Sequence, residues 1–221
     1  MRSYFVIGYV GRSGSSYLQG LIHAHPHGQC LGEILQPGDV PEFDGKPLAQ
    51  RIDAMVHSTG KRVSGFKFPH LHMFKHPEMK TIMREKGYRV LYLTRKNRLD
   101  QYISMKLAMD NNAWRSDFGD YERPSFIADP AHVLEFFDKF EDHDRRVRAY
   151  IEGLPTLGMS YEQLVEPDGY YPFLDFLSLE RRTLVSPFHR QRKGSQRDAI
   201  VNYDEMAIHF AKTPWGPYFN E

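Results

Sequence analysis

A chain of 221 residues has room for one domain, or one domain with a small appendage, and for a core that takes about 70% of its unfolded surface out of water. With 29 basic against 28 acidic residues its formal charge is +1, which gives no global field to gather nucleic acid or an anionic membrane, so any anion site has to be local. A single cysteine, Cys30, excludes an internal disulfide and leans toward a reducing compartment. No apolar run approaches the roughly 20 residues of a membrane span, and the chain begins directly with a strand pattern; the sequence is therefore expected to be cytoplasmic.

Ser3 to Val10 is a short apolar run of Phe, Val, Ile and Tyr that reads as a buried strand, and Ser15 to Ala24 carries Tyr17, Leu18, Leu21 and Ile22 at helical spacing. His25-Pro26-His27-Gly28 breaks that helix, and Cys30 to Leu35 leads into a loop rich in Pro, Gly and Asp that runs to about Lys46. Pro47 to Ser58 predicts a helix, Val63 to Phe68 a second strand closed by Pro69, Pro77 to Lys86 a helix ended by Gly87, Arg89 to Thr94 a third strand, and Asn97 to Met109 a further helix. The order βαβαβα predicts an α/β fold, three-layered and P-loop-like, with a central parallel sheet flanked by helices and right-handed crossovers. Asp110 to Asp129 is irregular but holds Trp114, Phe118, Tyr121 and Phe126, and a loop of that length inside a domain is usually functional. Asp129-Pro130 opens a helix that ends near Gly153, Thr156 to Tyr161 predicts a fourth strand, and Tyr170 to Phe176 a short helix. The last stretch is basic from His189 to Arg197, then aromatic at Trp215, Tyr218 and Phe219.

Between the first strand and helix sits Gly11-Arg12-Ser13-Gly14-Ser15-Ser16. A strand feeding a Gly/Ser loop that opens a helix aims backbone N–H groups, the positive helix end and Ser hydroxyls at one point, which suits a phosphate, and Arg12 adds a cation. The strict G-x-x-x-x-G-K-[ST] pattern is not met: its Lys would fall on Ser15, and the three later strand patterns are followed by Pro69, Arg95 and Glu162 rather than by an Asp that could hold Mg²⁺. A phosphate ester that needs no metal fits better than a nucleoside triphosphate. Arg95 stands at the C-terminal end of a central strand, where α/β folds place ligands, with Ser104 on the following helix; together they make a second anion site, and two such sites suit a nucleotide phosphorylated at two places on its ribose. The alternative for Arg95 is a simple pairing with Asp100. His23, His25 and His27, like His70 and His72, have spacing that invites a zinc reading, but the first group straddles Pro26 and no carboxylate or thiolate set stands in register, so no metal is expected. The basic run holding Arg190, Arg192, Lys193 and Arg197 lacks interleaved aromatics and is read as a phosphate contact or solvated arm rather than a nucleic-acid surface.

Arg12-Ser-Gly-Ser-Ser16, the helix ending in His25-Pro26, Gly32-Glu33, Lys67-x-Pro69 and Leu93-Thr-Arg95 with Ser104 resemble, in that order, the signatures of sulfotransferases that use 3′-phosphoadenosine 5′-phosphosulfate, with the carbohydrate and tyrosylprotein branches the nearest. The match covers roughly Phe5 to Leu107, with a weaker echo in Tyr161 to Val165 and in Arg192-Lys193-Gly194. Arg95 and Ser104 are nine residues apart where several branches have eight.

The resemblance implies a P-loop-like domain over residues 1–221: a nucleotide-binding core at 1–110, an acceptor-side loop and helix at 111–155, and the fourth strand with the C-terminal segment at 156–221. It implies that Arg12, Ser13, Gly14, Ser15, Ser16 and Tyr17 hold the 5′-phosphosulfate, that Arg95 and Ser104, with Arg192 and Lys193, hold the 3′-phosphate, and that Glu33 is the catalytic base. Chemistry adds that a carboxylate on a loop near the anion site can take the proton of an attacking hydroxyl, that Lys67 can neutralise the leaving oxygen, and that Arg12 can stabilise charge on the transferring group. His70 is the alternative base or acceptor contact, and Trp114 a stacking surface for a saccharide if the loop around it is not simply a packed lid. The expected activity is sulfuryl transfer to a hydroxyl, on a carbohydrate or glycolipid, without metal. A P-loop kinase of a small metabolite and a non-catalytic nucleotide-binding module are the competing expectations; the first lacks its Lys and Asp, and the second has no need of Glu33 or Lys67.

Overall fold

The computed structural model describes residues 2–35, 47–119 and 121–220, and for Phe118 the backbone alone. In chain order it runs β1 (Ser3–Tyr9), α1 (Ser15–Ala24), β2 (Gly28–Leu31), α2 (Leu48–Ser58), β3 (Val63–Pro69), α3 (His70–Lys75), α4 (Met79–Glu85), β4 (Arg89–Thr94), α5 (Arg98–Asp110), α6 (Pro130–Ile151), β5 (Thr156–Ser160), α7 (Tyr161–Leu164), α8 (Tyr171–Phe176), α9 (Gln196–Ala199) and α10 (Tyr203–Phe210). Among the described residues no helix is long and apolar enough to cross a membrane. Two compact units divide the chain: Met1–Thr94 with His143–Pro187, and Arg95–Asp142 with Phe188–Glu221.

The first unit is built on a five-stranded sheet in the order β2-β3-β1-β4-β5, parallel throughout and flanked by helices. Strands covered on both faces need apolar residues at successive positions, and β1 and β3 carry them: Phe5, Val6, Ile7 and Tyr9 on one, Val63, Phe66 and Phe68 on the other, all buried. Leu18, Leu21 and Ile22 of α1 close over one side with Leu91, Leu93, Phe173 and Leu174. Gly65 is required where β3 meets β1, because a Cβ there would stand 2.2 Å from the Phe5 carbonyl oxygen. The second unit has its own core, in which Leu99, Ile103 and Leu107 of α5 meet Val133 and Phe137 of α6 and Met206 and Phe210 of α10. Tyr121 and Phe126 pack into this core, so part of the irregular stretch from 110 to 129 is a structural cover.

The expected parallel α/β sheet is present, with three departures. Gly28–Leu31 is a strand where the sequence reads as a loop; it has no β-branched residue and is a strand because it lies alongside Val63–Phe66. The predicted fourth strand is thus the fifth, and it ends at Ser160, which caps α7 by accepting from the Gln163 N–H at 3.1 Å, so Tyr161 opens a helix instead of closing the strand. His70–Lys75 is a helix that starts directly after Pro69, while the helix expected from Pro77 to Lys86 contracts to Met79–Glu85. The tail, sparse in periodic pattern, forms α9 and α10.

Candidate functional site

The first cluster grows from the turn between β1 and α1. Gly14, at φ 87°, is the N-cap of α1, and a Cβ there would fall 2.4 Å from the Tyr161 ring, so both backbone and space demand glycine. Arg12 is also left-handed, at φ 65°, a conformation that an arginine adopts at a cost. Ser13 is buried and its hydroxyl donates to the Val10 carbonyl at 2.6 Å, which commits that proton to the turn itself. Ser15 is buried, Ser16 half-buried, and Tyr17 meets Tyr161 edge to face at 6.4 Å.

Glu33 reaches this region through the sheet register. Leu31 is opposite Phe66, the Gly32 carbonyl accepts from the Lys67 N–H at 3.1 Å, and Glu33 is therefore carried past the end of β2 beside the end of β3. There Lys67 Nζ stands 3.2 Å from Glu33 Oε1, and Tyr9 Oη donates to the same oxygen at 2.5 Å. Lys67 Nζ is also 3.5 Å from Ser16 Oγ and 5.5 Å from the centre of the Tyr9 ring. Lys67 is 7% exposed, while the Glu33 side chain keeps 23% of its surface open. Burial, reinforced by the Glu33 charge, holds the Tyr9 phenol well above its ordinary range, so Tyr9 stays a hydrogen-bond donor. Glu33, Lys67 and Ser16, three of the residues singled out in the sequence, are thus one contact chain. Tyr9 belongs with them and escaped the sequence reading, since a Tyr ending an apolar strand reads as core.

His70 takes a different position. It is buried at the start of α3, its ring lies 4.4 Å from that of His143, and Nδ1 finds no hydrogen-bond partner among the described residues. Burial first, then the neighbouring His143, pulls its pKa down to about 4. A ring neutral at neutral pH and packed on another ring is a core element first. Among the described residues, no three His, Cys, Asp or Glu side chains are grouped to hold a metal ion.

The second unit holds a cluster of opposite balance. Arg95, immediately after β4, and Arg192 are each 8% exposed. Asp100, in the first turn of α5, receives Arg192 Nη2 at 2.6 Å and Arg95 Nη2 at 3.3 Å, and Arg190 Nη2 stands 3.7 Å away. Gln196 Nε2 adds a contact at 3.4 Å. The Arg95–Asp100 pairing that competes with a phosphate role is therefore real, but it is one spoke of three around a single carboxylate. Ser104 lies on the same helix, half-buried, and Lys193 is exposed. Gly194, at φ 85°, follows because a Cβ would meet the Asp198 carboxylate at 2.4 Å, and that carboxylate closes the capping box of α9 with Ser195. Trp114 is 45% exposed. The sequence reading had Asp100 only as a rival partner for Arg95 and Arg190 only as one member of a basic run; that both arginines meet at this one carboxylate is a matter of packing.

No protein-family model matches the chain. Along nearly all of its length it is similar to the Nodulation protein H of Rhizobium tropici, 25% identical over 230 residues that make up 97% of this chain and 92% of that protein. The Nodulation protein H of Rhizobium meliloti is 24% identical over 239 residues, 97% of this chain and 94% of its own. Among solved structures, a sulfotransferase from Alicyclobacillus acidocaldarius superposes with a TM-score of 0.51 at 14% identity, over 96% of this chain and 92% of that one. The fold is that of a sulfotransferase. The fold implied by the resemblance that Arg12 to Ser16, Gly32-Glu33, Lys67 and Arg95 carry is borne out.

Proposed function

We propose that this sulfotransferase fold moves the sulfuryl group of 3′-phosphoadenosine 5′-phosphosulfate to a hydroxyl of a carbohydrate or glycolipid in the cytoplasm. The observation that carries the reading is the contact of Glu33 with Lys67 and of Lys67 with Ser16: a carboxylate, a cation and the helix-opening loop within hydrogen-bonding reach of one another. The charges suit the donor's phosphate groups. The turn at Arg12 to Tyr17 takes the 5′-phosphosulfate, while Arg95, Ser104, Arg192 and Lys193 take the 3′-phosphate. In support, Arg192 Nη1 is buried and meets no acceptor among the described residues, a state that costs roughly 1 to 3 kcal/mol until an acceptor is supplied.

When bound, the donor supplies the sulfuryl group and a nucleotide phosphate as leaving group. The acceptor oxygen forms its bond to sulfur as the bridging S–O bond breaks, and Glu33 takes the hydroxyl proton. Tyr9 and Lys67 both meet Oε1 and so fix the carboxylate's orientation. Lys67 does two things in sequence. Its ammonium holds the Glu33 carboxylate in place before the proton moves; once Glu33 has taken the proton, that charge is available to the leaving oxygen as it turns negative. Arg12 balances the charge of the group in transfer, and His70 and Trp114 contribute on the acceptor's side.

Calorimetry tests the donor. Adenosine 3′,5′-bisphosphate is expected to bind without metal and more tightly than ATP with Mg²⁺. Arg95→Ala should weaken the bisphosphate by about 1.5 to 3 kcal/mol, the worth of a charged hydrogen bond, and have little effect on adenosine 5′-phosphate. ATP binding that depends on Mg²⁺ and exceeds that of the bisphosphate would turn the reading toward a kinase.

A further inference from the structure

Resting on the reading that the second unit's arginines take the 3′-phosphate, we infer that Asp100 is the positioning residue of that site and that Arg190 is a third guanidinium in it. Each arginine reaches Asp100 through one Nη nitrogen, Arg95 on Oδ2 and Arg190 and Arg192 on Oδ1, so a single carboxylate gathers the three by one edge of each. Three guanidinium charges against one carboxylate leave two positive charges, the complement of a phosphate monoester dianion. A carboxylate meant only to neutralise an arginine would bind one of them through both oxygens, as Asp175 does with Arg181 at 2.9 and 2.5 Å.

Asp100 is itself pinned from two directions. Its N–H donates to Asn97 Oδ1 at 3.0 Å, fixing the first turn of α5, and Gln196, 1% exposed, donates to Oδ1 at 3.4 Å while accepting from Tyr203 Oη at 3.3 Å. The line Tyr203, Gln196, Asp100, Arg192 therefore ends on the buried Nη1 that has no acceptor among the described residues. Without the carboxylate, three like charges would lose what holds them together, and the arginines would have to be gathered by the phosphate itself.

The experiment compares binding of adenosine 3′,5′-bisphosphate and adenosine 5′-phosphate by the wild type, Asp100→Asn and Arg190→Gln, with steady-state kinetics alongside. Asp100→Asn should weaken the bisphosphate 10- to 100-fold and the 5′-phosphate less than 2-fold, raising the donor KM far more than it lowers kcat. Asp100→Glu should restore part of the loss. Arg190→Gln, at a side chain 43% exposed and so little threat to folding, should cost 3- to 10-fold on the bisphosphate alone. Tighter bisphosphate binding by Asp100→Asn would make Asp100 a competitor of the phosphate and overturn the inference. Equal losses for both nucleotides, or a lower melting temperature with selectivity intact, would reduce it to a structural ion pair. A wild type that does not prefer the 3′-phosphorylated nucleotide would overturn the underlying reading, and this inference with it.

Discussion

Glu33 and Asp100 are both carboxylates held by cations, in opposite proportion. Glu33 is met by a lysine and a phenol on one oxygen; Asp100 gathers three arginines, and those four groups keep a surplus of two positive charges. A carboxylate beside a single lysine can take up a proton by giving up one ion pair. A surplus cluster is suited to holding an anion and badly suited to exchanging protons, since arginine does not release one. Under the proposed reading, the same residue type serves chemistry in one place and binding in the other, and the partners decide which.

The largest effect should come from breaking the Glu33 cluster. Glu33→Gln keeps shape and hydrogen bonding but accepts no proton, so turnover should fall by roughly 10² to 10⁴ while nucleotide affinity holds nearly constant. His70→Ala is the matched control: it should change acceptor affinity more than turnover. A Glu33→Gln enzyme that keeps most of its rate, beside an inactive His70→Ala, would move the base to the start of α3. Next comes the cation at the turn. Arg12→Ala should lower kcat by about 10² to 10³, as for a lost transition-state donor, and product-nucleotide affinity by much less, with Arg12→Lys recovering part. Equal losses in both would make Arg12 a plain phosphate anchor, and the contrast between the clusters would shrink.

The smallest effect concerns stability against pH. His70 has its pKa pulled down to about 4 from an ordinary 6.5, chiefly by burial, with His143, Arg146 and His72 also opposing its protonation and Asp144 favouring it. The unfolded chain then binds a proton at this residue that the folded one refuses, so its contribution is complete above about pH 6.5 and is lost as pH falls toward about 4. Thermal melts over that window should show the fall for the wild type and a flatter acid limb for His70→Gln; coincident profiles would remove the histidine from the account.

Much of the scaffold was readable because its signals are local. The apolar runs of β1 and β4, the spacing of Leu18, Leu21 and Ile22, and Asp129-Pro130, whose carboxylate accepts from the Ala131 N–H at 3.0 Å, each speak for themselves. β2 was not readable, because Gly-Gln-Cys-Leu becomes a strand only when β3 lies beside it. The site divides in the same way. Arg12, Glu33, Lys67 and Arg95 stand in recognisable local strings; that Tyr9 would donate to Glu33, or that Arg190 would reach a carboxylate 90 positions earlier in the chain, is a matter of register and packing that no string contains.

The strand order has a consequence for the nascent chain. β1 is first to be made yet central in the sheet, with its ladder partners at Val63–Pro69 and Arg89–Thr94, and β4 in turn waits for Thr156–Ser160. Every pairing is parallel and distant in sequence, so loop closure precedes each gain, and such topologies fold on the order of milliseconds to seconds rather than microseconds. Until β5 arrives, β4 presents an open edge of unpaired backbone beside an apolar face, the situation in which a growing chain most needs a chaperone's cover.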